Sequence, residues 1–244
     1  MNDTSIQRVG AGLSLLFAAG ERPDGATLQA AVAACQAQAS VTRTECGQGT
    51  AELVASGLMF EVDGLAPAPA QAALCTRDSY GFAAPCEFAA LEAVRLYPGH
   101  HLSGGVGLAP VTRALLALAA ELAVSLPVAA VQWHSADTTI EPSRFSRSVL
   151  AWLAGGTFPA PGLAALAQLE DGSVVSRGLA HFVGQELTLC AVEDPARLEV
   201  ASRVVDHLVR HGPVQAFMQW HLHDLLLCAE PAREARQVLV WPAG

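Results

Sequence analysis

Apolar positions along this chain occur in short runs that are bounded by glycine, proline or Asp-Gly pairs. Such runs are typical of buried β-strands. Strands are predicted at 13–19, 57–64, 100–107, 127–134, 162–171, 185–192, 214–228 and 237–242. The proline-rich segment 66–74 is predicted to be an edge strand or an extended crossing. The strand at 214–228 is expected to turn near His223 and Asp224.

Other stretches repeat apolar residues every three to four positions, which is the spacing of a helix with one buried face. Helices are predicted at 23–39, 84–97, 109–125, 141–154 and 194–212, with a short helical or turn segment at 178–183. Start and stop signals mark the helix at 194–212. Asp194 is a typical N-cap, Pro195 suits the first helical position, and Gly212 follows the end.

The alternation of strands and helices predicts an α+β (or α/β) fold. We expect two similar open-sheet halves, 1–107 and 108–244, with helices packed on the sheets and a seam near 104–109. Each half has few amphipathic helices and would bury little surface alone, so the two are predicted to form one compact, cooperative unit. The segments 128–131 and 187–192 are apolar on both strand faces, which predicts central strands.

Charge excludes several classes of partner. The 244 residues carry a net charge of −9, and all 14 cationic residues are arginine. No basic stripe is present to bind nucleic acid or an anionic membrane surface. The absence of lysine also removes Schiff-base chemistry and a P-loop lysine.

The cysteines and the N-terminal segment bear on the compartment. The six cysteines show no C-x-x-C spacing, and most have apolar neighbours, which predicts reduced core thiols in a cytoplasmic protein. The alternative is one or two disulfides in a periplasmic protein. The apolar segment 9–20 follows a flank without the positive charge of a signal peptide, so it is interpreted as the first buried strand.

Histidine is the residue type that offers candidate chemistry. His221 and His223 would point to the same face of a strand, where neutral imidazoles can share a metal. His134 ends another predicted strand, and His100 begins a third. If these strand ends converge, the four histidines predict a site for zinc or another divalent metal. The alternative is that they are half-buried structural histidines.

Other catalytic patterns are absent from the sequence. There is no glycine-rich phosphate loop and no G-x-S-x-G motif. His207 and His211 have zinc-binding spacing but lack the glutamate of the H-E-x-x-H motif, so they are interpreted as part of a solvated helix face. No catalytic or cofactor-binding residue is assigned.

Five segments resemble a bacterial family known as domain of unknown function 4261. They are LSLLF near the start, GLMFEVDGLAPAPAQAAL, HHLSGGVG, VAAVQWHSADTTIEPSRF and SRGLAHFVGQELTLCAVEDPARL. The most specific features are the Val-x-Trp strand before a helix with Phe145, and Gly178-Leu179 leading into Gly184-x-Glu186-Leu187. The chain departs from the family pattern at His134, where a glycine is expected. The resemblance implies a cytoplasmic bacterial protein of this fold without an assigned active residue.

These observations give two functional hypotheses. The first is a non-catalytic accessory or protein-interaction module, for example of an immunity or secretion system, with a protein partner and no cofactor. An acidic chain favours a basic partner. The alternative is a metal-binding protein or metal-dependent hydrolase that uses His221 and His223 with His134 or His100.

Overall fold

The protein has an α+β fold built on two mixed, open β-sheets, which confirms the predicted class. The computed structural model describes residues 12–36, 38–84, 86–105, 107–190, 197–222, 225–232 and 236–243. The chain divides into two compact units, Met1–Gly156 and Thr157–Gly244. Each unit holds one sheet, but the sheets differ in size, with nine and six strands in the described residues.

The first unit contains nine described strands and three described helices. The strands are β1 (Leu13–Phe17), β2 (Ala39–Glu45), β3 (Thr50–Ala55), β4 (Leu58–Asp63), β5 (Gln71–Ala72), β6 (Asp78–Tyr80), β7 (Glu92–Pro98), β8 (Ala130–Trp133) and β9 (Thr138–Ile140). The helices are α1 (Gly25–Ala34), α2 (Ala109–Ser125) and α3 (Pro142–Leu153). The side chains of Asp24 and Glu141 cap α1 and α3 by accepting hydrogen bonds from first-turn N–H groups.

The large sheet has the strand order β2-β3-β4-β7-β1-β8-β9-β6, and β5 also pairs with β7. Leu15 of β1 lies opposite Val94 and Val131, and all three are buried. The helices α2 and α3 pack against each other and contact β7 and β8, respectively. As predicted, the apolar segment 128–131 leads into an interior strand, β8.

Leu16, the residue after Leu15, faces the opposite side of the sheet. A different part of the chain covers that side. Leu16, Ala93 and Ala130 form a buried cluster there. Ala73, Phe82, Phe88 and Leu91 pack on this cluster, so the described residues of 73–91, which we call the covering segment, cover this part of the sheet.

The second unit contains six described strands and two described helices. The strands are β10 (Ala165–Gln168), β11 (Val174–Arg177), β12 (Glu186–Leu189), β13 (Met218–Leu222), β14 (Leu225–Pro231) and β15 (Gln237–Pro242), and the helices are α4 (Ala180–Val183) and α5 (Arg197–His211). Their order is β10-β11-β12-β15-β14-β13. β15 pairs in parallel with β12 and antiparallel with β14, so it joins the two ribbons of the sheet.

Two predicted elements were wrong. The predicted helix at 84–97 is replaced in the described residues by a 3-10 turn at Phe88–Ala90 followed by β7, because residues 92–96 pair with β1. The predicted strand at 100–107 is a 3-10 turn at His100–Gly105. The hairpin of β2 and β3 was not predicted, since β2 is largely polar. The Asp194 and Pro195 start signals lie outside the described residues.

The seam predicted at 104–109 falls inside the first unit, between β7 and α2. Residues on both sides of it belong to one sheet, because β8 pairs directly with β1 in the register Leu13–Trp133 to Leu16–Ala130. The observed change from one compact unit to the next is at Gly156 and Thr157.

All six cysteines lie in the described residues and are free thiols. Only Cys228 is buried. Cys35 and Cys190 are half-buried, whereas Cys46, Cys75 and Cys86 are exposed, so the prediction of core thiols was wrong for these last three. Among the described residues, no helix combines the length and the apolar character needed to cross a membrane.

Candidate functional site

Polar residues cross the centre of the large sheet on one side, which we call the polar face. Ser14 on β1 lies directly opposite Arg95 on β7 and Gln132 on β8. Asp63 on β4 lies opposite Arg95, and Thr139 on β9 lies opposite Gln132. Directly opposed residues project to the same side of a sheet, so these five residues form one row. Buried polar groups at such positions need hydrogen-bond partners.

Ser14 is held by His134. The Ser14 Oγ lies 2.8 Å from His134 Nε2, and the His134 backbone N–H donates to the carbonyl of Gly12 at 3.3 Å. His134 was predicted to be the last residue of a strand, but β8 ends at Trp133 and the half-buried His134 begins a 3-10 turn. A serine within hydrogen-bond distance of an imidazole resembles a nucleophile and its base. Ser14, however, has 0% exposure in an interior strand, so its hydroxyl does not reach a substrate from solvent.

Gln132 fastens the covering segment to the polar face. Its Oε1 accepts from the Leu74 N–H at 3.0 Å, and its Nε2 donates to the Leu74 carbonyl at 2.7 Å. One side-chain amide therefore pairs with both backbone groups of Leu74, as a neighbouring strand would. The Thr76 and Thr139 hydroxyls form a second attachment.

Among the residues that the structure describes, two polar atoms on the same sheet have no hydrogen-bond partner. They are Arg95 Nε and Gln71 Oε1, and both atoms are buried. Gln71 lies opposite Ala93, two residues from Arg95 on the same side of β7. A buried donor and acceptor without partners are unusual in a native core.

His100 lies at the edge of a small acidic cleft in the first unit. It is exposed at the start of a 3-10 turn, and its backbone N–H donates to Glu61 Oε1 at 2.9 Å. A cleft of about 160 Å³ adjoins Glu61 and is lined by Arg43, Glu45, Thr50, Ala51, Glu52, Glu61, Val62 and Tyr97. Arg43 forms ion pairs with Glu45 and Glu52 there. His100 thus contacts Glu61, a residue of the cleft, through its backbone N–H group.

His221 lies on β13 in the second unit and is exposed. Its neighbour Trp220 stacks on His207 of α5, with ring centroids 4.7 Å apart and an interplanar angle of 5°. Successive strand residues point to opposite faces, so His221 points away from α5. His223 lies outside the described residues.

His207 also stacks on His211, with ring centroids 4.1 Å apart. The three rings Trp220, His207 and His211 form the aromatic stack of this unit. The His211 Nδ1 lies 2.8 Å from the His207 carbonyl and donates to it, which fixes the His211 ring. Burial and the neighbouring His211 lower the pKa of His207, while Asp206 acts in the opposite direction. These surroundings therefore favour the neutral form of His207.

A larger cleft lies beside this stack, and we call it the α5 cleft. Its volume is about 440 Å³, and its lining residues are Thr157, Phe158, Ala160, Glu199, Ser202, Arg203, Asp206, His207, Arg210, His211 and Leu222. Glu199 pairs with Arg203, and Asp206 accepts from Arg210 Nε at 2.8 Å. Asp206 also accepts from the Phe158 N–H at 2.7 Å, which anchors the cleft wall.

Glu186 explains one of the segments quoted for the family resemblance. Its carboxylate accepts from the backbone N–H groups of Gly178, Leu179 and Ala180 at 2.8, 3.2 and 3.0 Å, and from the Ser176 hydroxyl. These N–H groups begin the short helix α4, where a negative charge is favourable. The carboxylate has a structural role.

The predicted metal ligands are distributed over both units. His100 and His134 belong to the first unit, and His221 belongs to the second. Over the described ranges, no group of three or more His, Cys, Asp or Glu side chains is placed to hold a metal ion. The stacked His207 and His211 present ring faces to each other.

Sequence reasoning found His134 but missed Ser14, Gln132 and Trp220. A signal for the first two was present, because each is a polar residue inside an otherwise apolar strand segment. Their partners could not be deduced, since Ser14 and His134 are separated by 120 positions. No family model, no curated protein and no solved structure matches the chain. The resemblance to domain of unknown function 4261 therefore rests on the quoted segments.

Proposed function

We propose that this protein is a non-catalytic bacterial interaction module that binds a basic, extended segment of a partner protein along β13. The supporting observation is the edge of the small sheet. β13 pairs only with β14 among the described strands. Phe217, which precedes β13, and Met218, which begins it, are 58% and 39% exposed. An edge strand with unpaired backbone groups can accept another strand from a partner.

The other described edges are poorly suited to strand addition. β2 has an irregular register between Val41 and Arg43 and carries charged residues. β6 and β10 have only three and four residues. Bulges, charges and short length are the usual means of protecting an edge. β13 has the sequence MQWHL. None of its five residues is Asp, Glu, Lys, Arg or Pro.

Two further observations favour this function over catalysis and over a neutral partner. Ser14 and His134 are the one described Ser–His pair on the polar face within hydrogen-bond distance, and the Ser14 side chain is buried. The chain has a net charge of −9, which steers association toward a basic partner. Together with the family resemblance, these observations support an accessory role in the bacterial cytoplasm.

The test is a selection of random nonapeptides on the full chain, followed by affinity measurement with the enriched peptides. We expect basic sequences with alternating apolar residues. Phe217→Ser and Met218→Lys should each weaken binding about tenfold. Leu198→Ser is the matched control, because Leu198 is 46% exposed on α5.

Three results would contradict the proposal. They are the absence of any enriched peptide, equal affinity for all variants, and a stoichiometric zinc content in untagged protein that His221→Ala or His134→Ala removes. The last result would support the alternative of a metal-dependent protein. Dimerisation that Met218→Lys abolishes would assign the β13 edge to a second copy of the chain instead.

A further inference from the structure

We propose that the α5 cleft binds a free, planar heteroaromatic molecule of nucleoside size, whose ring extends the stack of Trp220, His207 and His211. The site lies within the second unit and does not depend on the proposed use of the β13 edge. The proposal follows from the size of the cleft, the stack in its wall and the charges on its lining.

The size of the cleft is suited to a small molecule. Its volume of about 440 Å³ falls in the range of roughly 300–1,000 Å³ that is common for ligand pockets. Phe158 is 4% exposed, and its backbone is fixed by Asp206, so this wall is preformed.

The stack presents a ring that is already oriented. His207 covers one face of the His211 ring, and the hydrogen bond to the His207 carbonyl prevents rotation of the ring. His211 is nevertheless exposed and lines the cleft. A ring fixed before binding loses little conformational entropy when a ligand stacks on it. Aromatic faces accept planar rings with little dependence on their identity.

The charges on the lining favour a ligand without a large net charge. Two carboxylates, Glu199 and Asp206, face two guanidinium groups, Arg203 and Arg210, and each acid is paired within one helical turn. A phosphate or an ammonium group would have to break one of these pairs. Thr157 and Ser202 also line the cleft, and the Ser202 Oγ, which donates to the Leu198 carbonyl, can accept a hydrogen bond from a ligand.

Trp220 provides a specific reporter. Its Nε1 is a buried donor that has no hydrogen-bond partner among the described residues, and its ring is parallel to that of His207. The chain has four tryptophans, so the indole N–H region of a ¹⁵N spectrum should show four signals, and Trp220→Phe identifies one of them.

The experiment titrates adenosine into the full ¹⁵N-labelled chain at pH 7. The Trp220 indole signal should shift and saturate with a dissociation constant on the order of 1 mM or tighter. Ribose, which lacks a planar ring, should cause no saturable shift. His211→Ala should weaken binding about tenfold, whereas His211→Phe, which keeps a ring, should stay within about threefold.

Controls separate this site from the β13 edge. His221→Ala, on the opposite face of the strand, and Phe217→Ser should leave adenosine binding unchanged. The proposal is overturned if no shift saturates at adenosine concentrations up to about tenfold above the expected dissociation constant. It is also overturned if ribose binds as tightly as adenosine, or if His211→Ala binds adenosine as tightly as the wild type does. Tighter binding of N-acetyltryptophanamide than of adenosine would also overturn it, since the cleft would then be suited to a side chain of a partner.

Discussion

The Glu186 carboxylate accepts a hydrogen bond from the Gly178 backbone N–H at 2.8 Å, and this contact joins the start of β12 to the turn before α4. The same carboxylate also receives the N–H groups of Leu179 and Ala180. The two halves of the Gly178-Leu179 and Gly184-x-Glu186-Leu187 pattern therefore meet around one side chain. The pattern has a structural explanation that requires no ligand.

Replacing Glu186 should destabilise the second unit. Glu186→Ala leaves the donors at 178–180 without their acceptor, and we expect a loss of about 2–4 kcal/mol in the free energy of unfolding. Glu170→Ala, at an exposed turn position, should change it by less than about 0.5 kcal/mol. Urea denaturation measures both values, and equal stability of the two variants would exclude the capping role.

Removing the Gln132 amide should release the covering segment. The Leu74 N–H is bonded to the Gln132 side chain, so Gln132→Ala should raise the exchange rate of that amide by about 100-fold or more. Gln168→Ala, on the exposed part of β10, is the control. Hydrogen exchange resolved at 71–80 measures the effect. Unchanged protection would show that the apolar contacts of Phe82 and Phe88 hold the segment alone.

Acid should destabilise the protein partly through His181. Burial lowers the pKa of His181 to about 4, whereas an unfolded histidine has a pKa near 6.5. Between these values the unfolded state binds more protons, so stability falls as the pH is lowered from about 6.5 to 4. His181→Gln should reduce the stability difference between pH 7 and pH 4.5 by about 2 kcal/mol. Denaturation of the wild type and of His181→Gln at the two pH values measures the effect, and an unchanged pH dependence in the variant would contradict this role of His181.

Thiol reactivity should divide the cysteines by environment. Burial and the neighbouring Glu121 raise the pKa of Cys35 to about 11, so little thiolate is present at pH 8. Exposed Cys46, Cys75 and Cys86 should react with iodoacetamide at least about tenfold faster than Cys35. Glu121→Gln should accelerate Cys35, as mass spectrometry of the labelled peptides will show. A Cys35 rate that is independent of Glu121 would leave burial as the sole cause.

Cutting the chain at residue 107 should prevent folding of the first sheet. A fragment of residues 1–107 lacks β8, which pairs with β1, and also lacks α2 and α3. A fragment of residues 1–156 keeps all three. Circular dichroism and proton spectra should show dispersed signals for the longer fragment only, and a folded 1–107 fragment would contradict the observed pairing.

Most elements could be predicted because their residues have local signals. α2 and β15 have the predicted bounds of 109–125 and 237–242, since periodicity and flanking prolines mark them. β7 could not be predicted in this way. Its alanine, leucine and glutamate residues favour a helix locally, and only the pairing with β1 and β4 makes it a strand.

The candidate sites were less predictable than the elements. His134 was found because it ends an apolar run, but its contact with Ser14 depends on the order of strands. The stack of His207, His211 and Trp220 joins a helix to a strand, and helical spacing indicated only the His207–His211 part. Side-chain contacts between distant segments require a fold before they can be inferred.

The position of β15 has a consequence for the time course of folding. The β10-β11-β12 ribbon and the β13-β14-β15 ribbon contain mainly local antiparallel pairings, which form rapidly. β15 joins them through its parallel pairing with β12, from Glu186–Gln237 to Leu189–Val240. The loop closed by that pairing is long. Its conformational entropy must be lost before the β12–β15 contact can stabilise the sheet. The small sheet should therefore exist transiently as two separate ribbons, β10-β11-β12 and β13-β14-β15, and the pairing of β15 with β12 should set the rate at which the second unit becomes native.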